Sequence, residues 1–252
     1  MRLGVMQPYF FPYLGHFGLI ANTDRWIVFD VTQYTPRSWM SRNRVLHPAD
    51  GWNYVSVPLV HSSTTLRIHE ARIADRAGVA RSIAGKISHY RRHAPHYARV
   101  QALLADTFSQ GGDSLVDLNV QGLTAVCRYL DIPLRLQVCS RMDLALPECM
   151  APGDWALEIC TQLGADAYLN PASGRTLFDA ERYAERGIEL AFLEVGEFVY
   201  KTDPYPFEPG LSILDVMMWN SPQQIRDALA ACCHCVPAVP VPRPASLAAT
   251  CP

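Results

Sequence analysis

The polar side chains best suited to chemistry crowd into a short aromatic segment near the start of the chain. Between residues 7 and 16 the sequence places Gln7, Tyr9, Tyr13 and His16 among prolines and phenylalanines. An imidazole titrates at about pH 6.5, so His16 is the best single candidate for a catalytic acid or base. The alternative is that His16 hydrogen-bonds its own loop and that the aromatic rings belong to the core.

A second group of candidates lies further along the chain. Asp30 ends an apolar run, where its carboxylate can orient His16 or bind a substrate ammonium group. Arg42 and Arg44 flank Asn43, and guanidinium groups match phosphate and carboxylate oxygens. We therefore predict a catalytic role for Asp30 and Arg42 and substrate contacts for Asn43 and Arg44. A capping role for Asp30 and an exposed polar strand for the arginines are the alternatives.

The remaining predicted substrate contacts are polar residues of loops and helix starts. They are Gln7, Tyr9, Tyr13, Gln33, Ser173, Arg175, Lys201 and Asp215. The backbone of Gly15, at a predicted helix start, is expected to hold an anion. Ser212 is better explained as a helix cap than as a nucleophile. We predict no metal ligand, because Cys232, Cys233 and Cys235 form only half of a structural zinc pattern, although this leaves metal binding there open.

The elements that position these residues alternate between short apolar runs and helical patterns. Residues 3–6 form a strand pattern, Pro8 and Pro12 delay the next helix, and a helical pattern begins at Leu14. This alternation predicts an α/β fold: a Rossmann-like, mainly parallel sheet sandwiched by helices. Ligands of such sheets bind at the carboxyl ends of the strands, where residues 7–16 lie.

The later elements follow the same pattern. The sequence predicts strands at residues 52–59, 132–138 and 166–170, and a last strand at 188–193. We predict one domain over residues 1–235, with a helical, basic insert at about 76–130. Residues 236–252 are rich in proline and alanine and are predicted to form a disordered tail.

Composition narrows the classes of function. The 252 residues carry a net charge of −2 and are 49% apolar, which gives no global signal for nucleic acid or membrane binding. The pattern of a signal peptide or membrane span is missing from the sequence, so we expect a cytoplasmic protein. The basic stretch at residues 76–99 is either a solvated helix face or a docking surface for an anionic partner. That partner is the pantetheine phosphate of a thioester donor, an acidic carrier protein or a sugar nucleotide.

Four segments resemble the WbqC-like family in the same order along the chain. They are residues 6–15, the strand end at 29–30 with 33–34 after it, residues 39–44 and residues 211–217. The resemblance implies a place in surface-polysaccharide or natural-product biosynthesis and the transfer of an acyl or aminoacyl group to an amine. For such a transfer we expect an acyl thioester, of coenzyme A or carrier-protein phosphopantetheine, as a co-substrate and no tightly bound cofactor. His16 stands where the family commonly has tyrosine, and Val31 where it commonly has a second acid.

A more distant similarity links residues 13–16 to the H-x-G-H loop of the nucleotidyltransferase superfamily. Tyr13 replaces the first histidine of that loop. Three functions therefore remain open: amide-forming acyl transfer, nucleotidyl transfer or ATP-dependent ligation, and carrier binding without catalysis. In the first, His16 takes the proton of a small-molecule amine, Gly15 and Arg42 hold the donor or its oxyanion, and Asp30 positions the acceptor.

Overall fold

The computed structural model describes residues 1–238 and places a six-stranded sheet at the centre of the molecule. The strands are β1 (Arg2–Met6), β2 (Arg25–Val28), β3 (Arg42–Leu46), β4 (Trp52–Ser56), β5 (Leu136–Val138), β6 (Ala167–Pro171), β7 (Glu189–Val195) and β8 (Cys233–Pro237). The main sheet has the order β5-β2-β1-β6-β7-β8, in which β8 alone is antiparallel to its neighbour. Strands β3 and β4 form a separate antiparallel hairpin. The predicted Rossmann-like α/β fold is confirmed.

Eight α-helices surround these strands in the described residues. They are α1 (Leu14–Ala21), α2 (Arg76–Lys86), α3 (Tyr97–Ser109), α4 (Leu115–Tyr129), α5 (Asp154–Gln162), α6 (Ala180–Glu185), α7 (Ile213–Trp219) and α8 (Pro222–Cys232). Helices α2, α3 and α4 fall inside the stretch predicted as a basic insert. Helix α1 packs on β6 and β7 from one side, while α5 contacts β6 and α6 contacts β7.

Alternation along the strands divides the core into two layers. Trp26, Val28 and Leu169 belong to the larger layer, which includes α1 and the helical insert. Ile27 and Tyr168 belong to the smaller layer beneath α5 and α6. Because neighbouring strand residues point to opposite faces, each central strand contributes to both layers. The near-continuous apolar strands predicted from the sequence are therefore buried on both sides.

Three strand predictions need correction. The strand predicted at residues 52–59 ends at Ser56 and pairs with β3 outside the main sheet. Strand β3 was not predicted, because its polar residues 42–44 hide the alternation of buried Asn43 and Val45. Strand β7 is not the last, since β8 adds to its free edge and includes residues 236–237 of the predicted tail. The rest of that tail, residues 239–252, lies outside the described residues.

The aromatic loop, residues 7–13, runs from β1 to α1 and contains two prolines without backbone N–H groups. Its carbonyl oxygens are satisfied by side chains from distant parts of the chain. The amide Nδ2 of Asn43 donates to the oxygens of Phe10 at 3.0 Å and Phe11 at 2.8 Å. Phe11 has a φ of 39°, a left-handed conformation that is rare for an aromatic residue. Asn43 thus holds a strained turn in place.

Two further side chains bind the same loop. Asn119 of α4 donates to the oxygen of Pro8 at 2.8 Å, and the hydroxyl of Ser212 donates to Phe11 at 2.6 Å. Ser212 also caps α7, as predicted, by accepting from the N–H of Leu214. The loop is therefore fixed by the hairpin, the insert and the start of α7 together.

Replacement of Asn43 by aspartate tests this arrangement. The substitution Asn43→Asp keeps the size of the side chain but removes both N–H donors and brings a carboxylate against two carbonyl oxygens. We expect the free energy of unfolding to fall by about 2 kcal/mol or more, since the buried oxygen of Phe10 loses its donor, that of Phe11 keeps only Ser212, and a carboxylate faces both. Urea titration measures the change. The matched control Asn53→Asp, in β4, should stay within about 0.5 kcal/mol of the wild type; equal losses for both variants would contradict the role of Asn43.

Candidate ligand-binding site

The order of the main sheet reverses at β1, which has β2 on one side and β6 on the other. Such a reversal leaves a crevice at the carboxyl ends of the two strands, where open α/β sheets bind ligands. A cavity of about 390 Å³ lies at this point and is named here the switch-point crevice. It is lined by Val5, Met6, Gln7, Tyr9, Phe29, Pro152, Trp155, Ala156, Tyr168, Asn170, Pro171, Ser173, Gly174, Leu177 and Phe178.

The polar groups of the switch-point crevice are neutral amides and hydroxyls. Asn170 is the penultimate residue of β6 and donates its Nδ2 to the hydroxyl of Tyr168 at 2.6 Å, which fixes the orientation of the amide. A Cβ atom at position 174 would lie 2.4 Å from Oδ1 of Asn170, so Gly174 makes room for this carbonyl oxygen. The half-buried side chain of Gln7 forms no hydrogen bond within the described part of the chain and is available to a ligand.

Charge is missing from the lining of this crevice. None of the lining residues within the described chain is acidic, basic or a histidine. Burial raises the pKa of Tyr9 above its ordinary value, so this phenol stays neutral as well. The crevice therefore favours uncharged polar groups of a ligand and disfavours an isolated ion.

A larger cavity of about 700 Å³ opens beside the crevice, at the carboxyl ends of β2 and β5, and is named here the β2–β5 cavity. Gln33, Thr32 and Ser140 line it, together with Arg67 and a loop at residues 142–150. Trp155 lines both cavities.

The structure encloses His16, the predicted acid or base, in the core. Its ring is 0% exposed and packs against Tyr9, Phe17 and Trp26, with the centroid of Trp26 at 5.0 Å. Neither ring nitrogen has a hydrogen-bond partner in the described chain. Burial lowers the pKa of His16 to about 3, so the ring is neutral at physiological pH. In this conformation the imidazole supports Tyr9 from behind and does not reach a substrate proton.

Asp30 is also completely buried. Its Oδ1 accepts from the N–H of Ser140 at 2.9 Å, and its Oδ2 accepts from the hydroxyl of Ser140 at 2.6 Å. Asp30 therefore ties the end of β2 to Ser140, which lines the β2–β5 cavity. It forms no hydrogen bond with His16, whose ring nitrogens have no partner in the described chain.

The hairpin residues Arg42, Asn43 and Arg44 lie in a different region. The guanidinium group of Arg42 lies 4.2 Å from the ring centre of Tyr54, and that of Arg44 lies over Trp39 and Trp52. Asn43 is buried and both ends of its amide are used, since its Oδ1 accepts from the N–H of Arg44. None of the cavities described here is lined by these three residues.

Asp215 belongs to a buried network and not to an open site. Its carboxylate accepts from the hydroxyl groups of Tyr90 and Tyr200, the latter at 2.5 Å. Burial raises the pKa of Asp215 above its ordinary value, and the two tyrosine donors oppose that shift. The hydroxyl of Tyr90 in turn accepts from the N–H of Leu46 at 2.8 Å. Asp215 thus joins α7 to the insert, the hairpin and the loop at residue 200.

Three other candidates lie on the rims of smaller cavities. Tyr13 and Gly15 line a cavity of about 220 Å³ together with Tyr200, and Lys201 is exposed beside one of about 550 Å³. Arg175 forms an ion pair with Glu194 at 3.0 Å and does not line the crevice.

Of the predicted contacts, the structure gathers Gln7, Tyr9 and Ser173 in the switch-point crevice and Gln33 in the β2–β5 cavity. Sequence reasoning missed Asn170 as a site residue, although a polar residue at the end of a predicted strand was a usable signal. It also missed Trp155, because nothing in the sequence near residue 155 distinguishes it from a core tryptophan.

The cysteine-rich segment at residues 232–235 forms the end of α8 and the start of β8. Cys233 and Cys235 point towards the larger core layer, whereas His234 lies between them on the opposite face. Over residues 1–238 no group of three or more histidine, cysteine or acidic side chains is placed to hold a metal ion. Within the same residues no helix is long and apolar enough to cross a bilayer.

The fold and the crevice together define a Rossmann-like protein with a candidate site at the switch point of its sheet. The chain belongs to the WbqC-like protein family, whose sequence pattern matches residues 7–227. It is also 29% identical over 234 residues to the uncharacterized protein Rv1507c of Mycobacterium tuberculosis, which covers 92% of this chain and 98% of the relative. No solved structure matches the chain significantly.

The buried state of His16 predicts a specific pH dependence of stability. The pKa is about 3 in the folded protein and about 6.5 when unfolded. Between these values the unfolded chain binds one more proton, so stability falls as the pH drops below about 6.5. Lowering the pH from 7 to 5 therefore reduces the free energy of unfolding by about 2 kcal/mol. The variant His16→Phe should lose that part of the dependence in urea titrations, while His61→Gln, at an exposed site, should keep it.

The network around Asp215 predicts the cost of losing one hydroxyl. In Tyr200→Phe one carboxylate oxygen loses its donor in a buried site, and the free energy of unfolding should fall by about 2 kcal/mol. The matched variant is Tyr129→Phe, whose buried hydroxyl has no partner in the described chain. Its free energy of unfolding should stay within about 0.5 kcal/mol of the wild type or rise. Thermal or urea unfolding compares the two, and similar losses would contradict the network.

Proposed function

We propose that this protein is a transferase that forms an amide by passing an acyl or aminoacyl group from a thioester donor to an amine. The observation that carries the proposal is the uncharged polar lining of the switch-point crevice. An amine attacks only in its neutral form, and a crevice without carboxylates disfavours the ammonium ion by desolvation. The crevice therefore favours the nucleophilic form of a bound amine.

The reaction fits a site made of neutral hydrogen-bonding groups. The amine nitrogen attacks the thioester carbonyl carbon, the C–N bond forms, the C–S bond breaks, and the thiolate leaves with the proton that the nitrogen gives up. Because a thiolate is a good leaving group, positioning of the reactants and stabilisation of the oxyanion supply most of the rate acceleration that such a reaction needs.

The residues of the crevice take distinct roles in this proposal. The oxygen of Asn170, fixed by Tyr168, accepts a hydrogen bond from the amine. The amide N–H group of Gln7 and the hydroxyl of Ser173 donate to the developing oxyanion. His16 and Asp30, which the sequence predicts as catalytic residues, act in this proposal through the positions of Tyr9 and Ser140.

An acidic carrier protein is the proposed partner that delivers the donor. Between Arg76 and residue 105 the sequence contains no aspartate or glutamate. Arg81, Arg91, Arg92 and Arg99 are exposed and form no ion pair or hydrogen bond with the described part of the chain. Arg76 is different, since its guanidinium group caps the end of α3 through bonds to residues 107 and 108. The exposed arginines supply charge complementarity and faster association with an acidic protein.

The substitution Gln7→Leu tests the proposed site. Acyl-CoA thioesters are incubated with amine-bearing nucleotide sugars, and mass spectrometry detects amide products while a thiol reagent follows free coenzyme A. We expect Gln7→Leu to lower kcat/KM by about 100- to 1,000-fold, the effect of losing one oxyanion donor, with unchanged stability.

The control Gln101→Leu, at an exposed position of α3, should keep full activity. Full activity of Gln7→Leu would contradict the proposed site. Release of pyrophosphate from ATP–Mg²⁺ with an adenylated product would instead favour nucleotidyl transfer, and no turnover with either donor would favour a carrier-binding role without catalysis.

A further inference from the structure

The β2–β5 cavity differs in chemistry from the switch-point crevice beside it. Its volume of about 700 Å³ is close to twice that of the crevice, and it falls in the range of small-molecule sites, about 300–1,000 Å³. One wall is apolar and consists of Met142, Leu144, Leu146, Pro147, Met150 and Trp155. The other wall is polar and comes from the ends of β2 and β5 and from the loop before residue 68.

The polar wall carries an unpaired cation. The guanidinium group of Arg67 forms no ion pair or hydrogen bond within the described residues. The hydroxyl of Thr32 is buried in the same wall and has no partner in the described chain. A guanidinium group beside a free hydroxyl suits a phosphate, which accepts hydrogen bonds from both. Glu148, an exposed carboxylate on the opposite loop, can accept from amide N–H groups of a ligand.

Two aromatic rings separate this cavity from the crevice. The centroids of Phe29 and Trp155 are 5.6 Å apart, and Trp155 lines both cavities. The indole ring of Trp155 is therefore the wall that the two cavities share.

We infer that the β2–β5 cavity binds the phosphopantetheine arm of the acyl donor, with its phosphate at Arg67 and its thioester directed past Trp155 into the switch-point crevice. This inference rests on the proposed function and assigns the two substrates to two cavities. The arm is long, flexible and largely uncharged between its phosphate and its sulfur, and its two amides match Glu148, Gln33 and the hydroxyls of the wall. The uncharged crevice is left for the acceptor amine.

Alkylation of Cys149 tests the inference without any turnover. Cys149 is an exposed free thiol on the rim of the β2–β5 cavity, and Cys232 is a partly exposed thiol away from it. The protein is treated with iodoacetamide, with and without the non-reactive ethyl thioether of 4′-phosphopantetheine, and peptide mass spectrometry follows each cysteine. At a probe concentration ten times its Kd, alkylation of Cys149 should slow about tenfold, while that of Cys232 should not change.

The variant Arg67→Met, which keeps an unbranched apolar stem but removes the guanidinium group, should lose this protection. Arg72→Met is the matched control: Arg72 lies on the same segment but pairs with Asp113 at 3.7 Å, and this variant should be protected like the wild type. The ethyl thioether of pantetheine without phosphate should protect weakly. Full protection of Arg67→Met, equal slowing at Cys232, or no protection of Cys149 would overturn the inference.

Further measurements distinguish the carrier protein from coenzyme A as the source of the phosphopantetheine arm. They also separate the cavity assignment from the proposed transferase activity. Equal protection by the thioethers of phosphopantetheine and of coenzyme A supports the arm alone as the ligand, as a carrier protein presents it. Stronger protection by the coenzyme A thioether supports coenzyme A as the donor. Protection of Cys149 without amide formation would support the cavity assignment and contradict the transferase activity. Amide formation without protection would support the transferase activity and contradict the cavity assignment.

Discussion

The structure depends on the hydrogen bonds that satisfy the carbonyl oxygens of the aromatic loop, residues 7–13. This loop turns sharply between the central strand and the first helix, and it does so with Phe11 at a φ of 39°. Buried carbonyl oxygens without donors would make the turn too costly. Asn43, Asn119 and Ser212 supply the donors, so three distant segments must be in place before the turn is stable.

This constraint explains why the recognisable motifs and the cavities are different parts of the molecule. Three of the four segments that resemble the WbqC-like family, residues 6–15, 39–44 and 211–217, meet at the aromatic loop. Their polar residues serve the backbone, as Asn43 does, or a buried network, as Asp215 does. The groups that face open space come from strand ends, such as Gln7 and Asn170. A motif rich in polar residues can therefore encode a scaffold that holds a site without lining it.

The fold followed from the sequence because hydrophobic alternation and helix caps are local signals. The cap at Ser212 and the parallel strands are examples. Strand β3 could not be predicted because its buried polar residue, Asn43, breaks the apolar pattern. The burial of His16 could not be predicted either, since it depends on rings from three elements that no local pattern connects. Gln7 and Tyr9 were found because they follow a strand directly. Trp155 was not found, since its contact with Phe29 depends on how the crossover between β5 and β6 folds back on the sheet.

The position of β1 at the middle of the sheet also affects how the chain can be synthesised. β1 is synthesised well before its neighbour β6, which begins at Ala167, and the bond from Ser212 to Phe11 spans 201 residues. At a translation rate of about 5–20 residues per second the aromatic loop waits about 10–40 s for Ser212. The nascent chain must therefore keep an aromatic, proline-rich segment unsatisfied until residue 212 has been made. During that interval the nascent chain is a natural client of ribosome-associated chaperones.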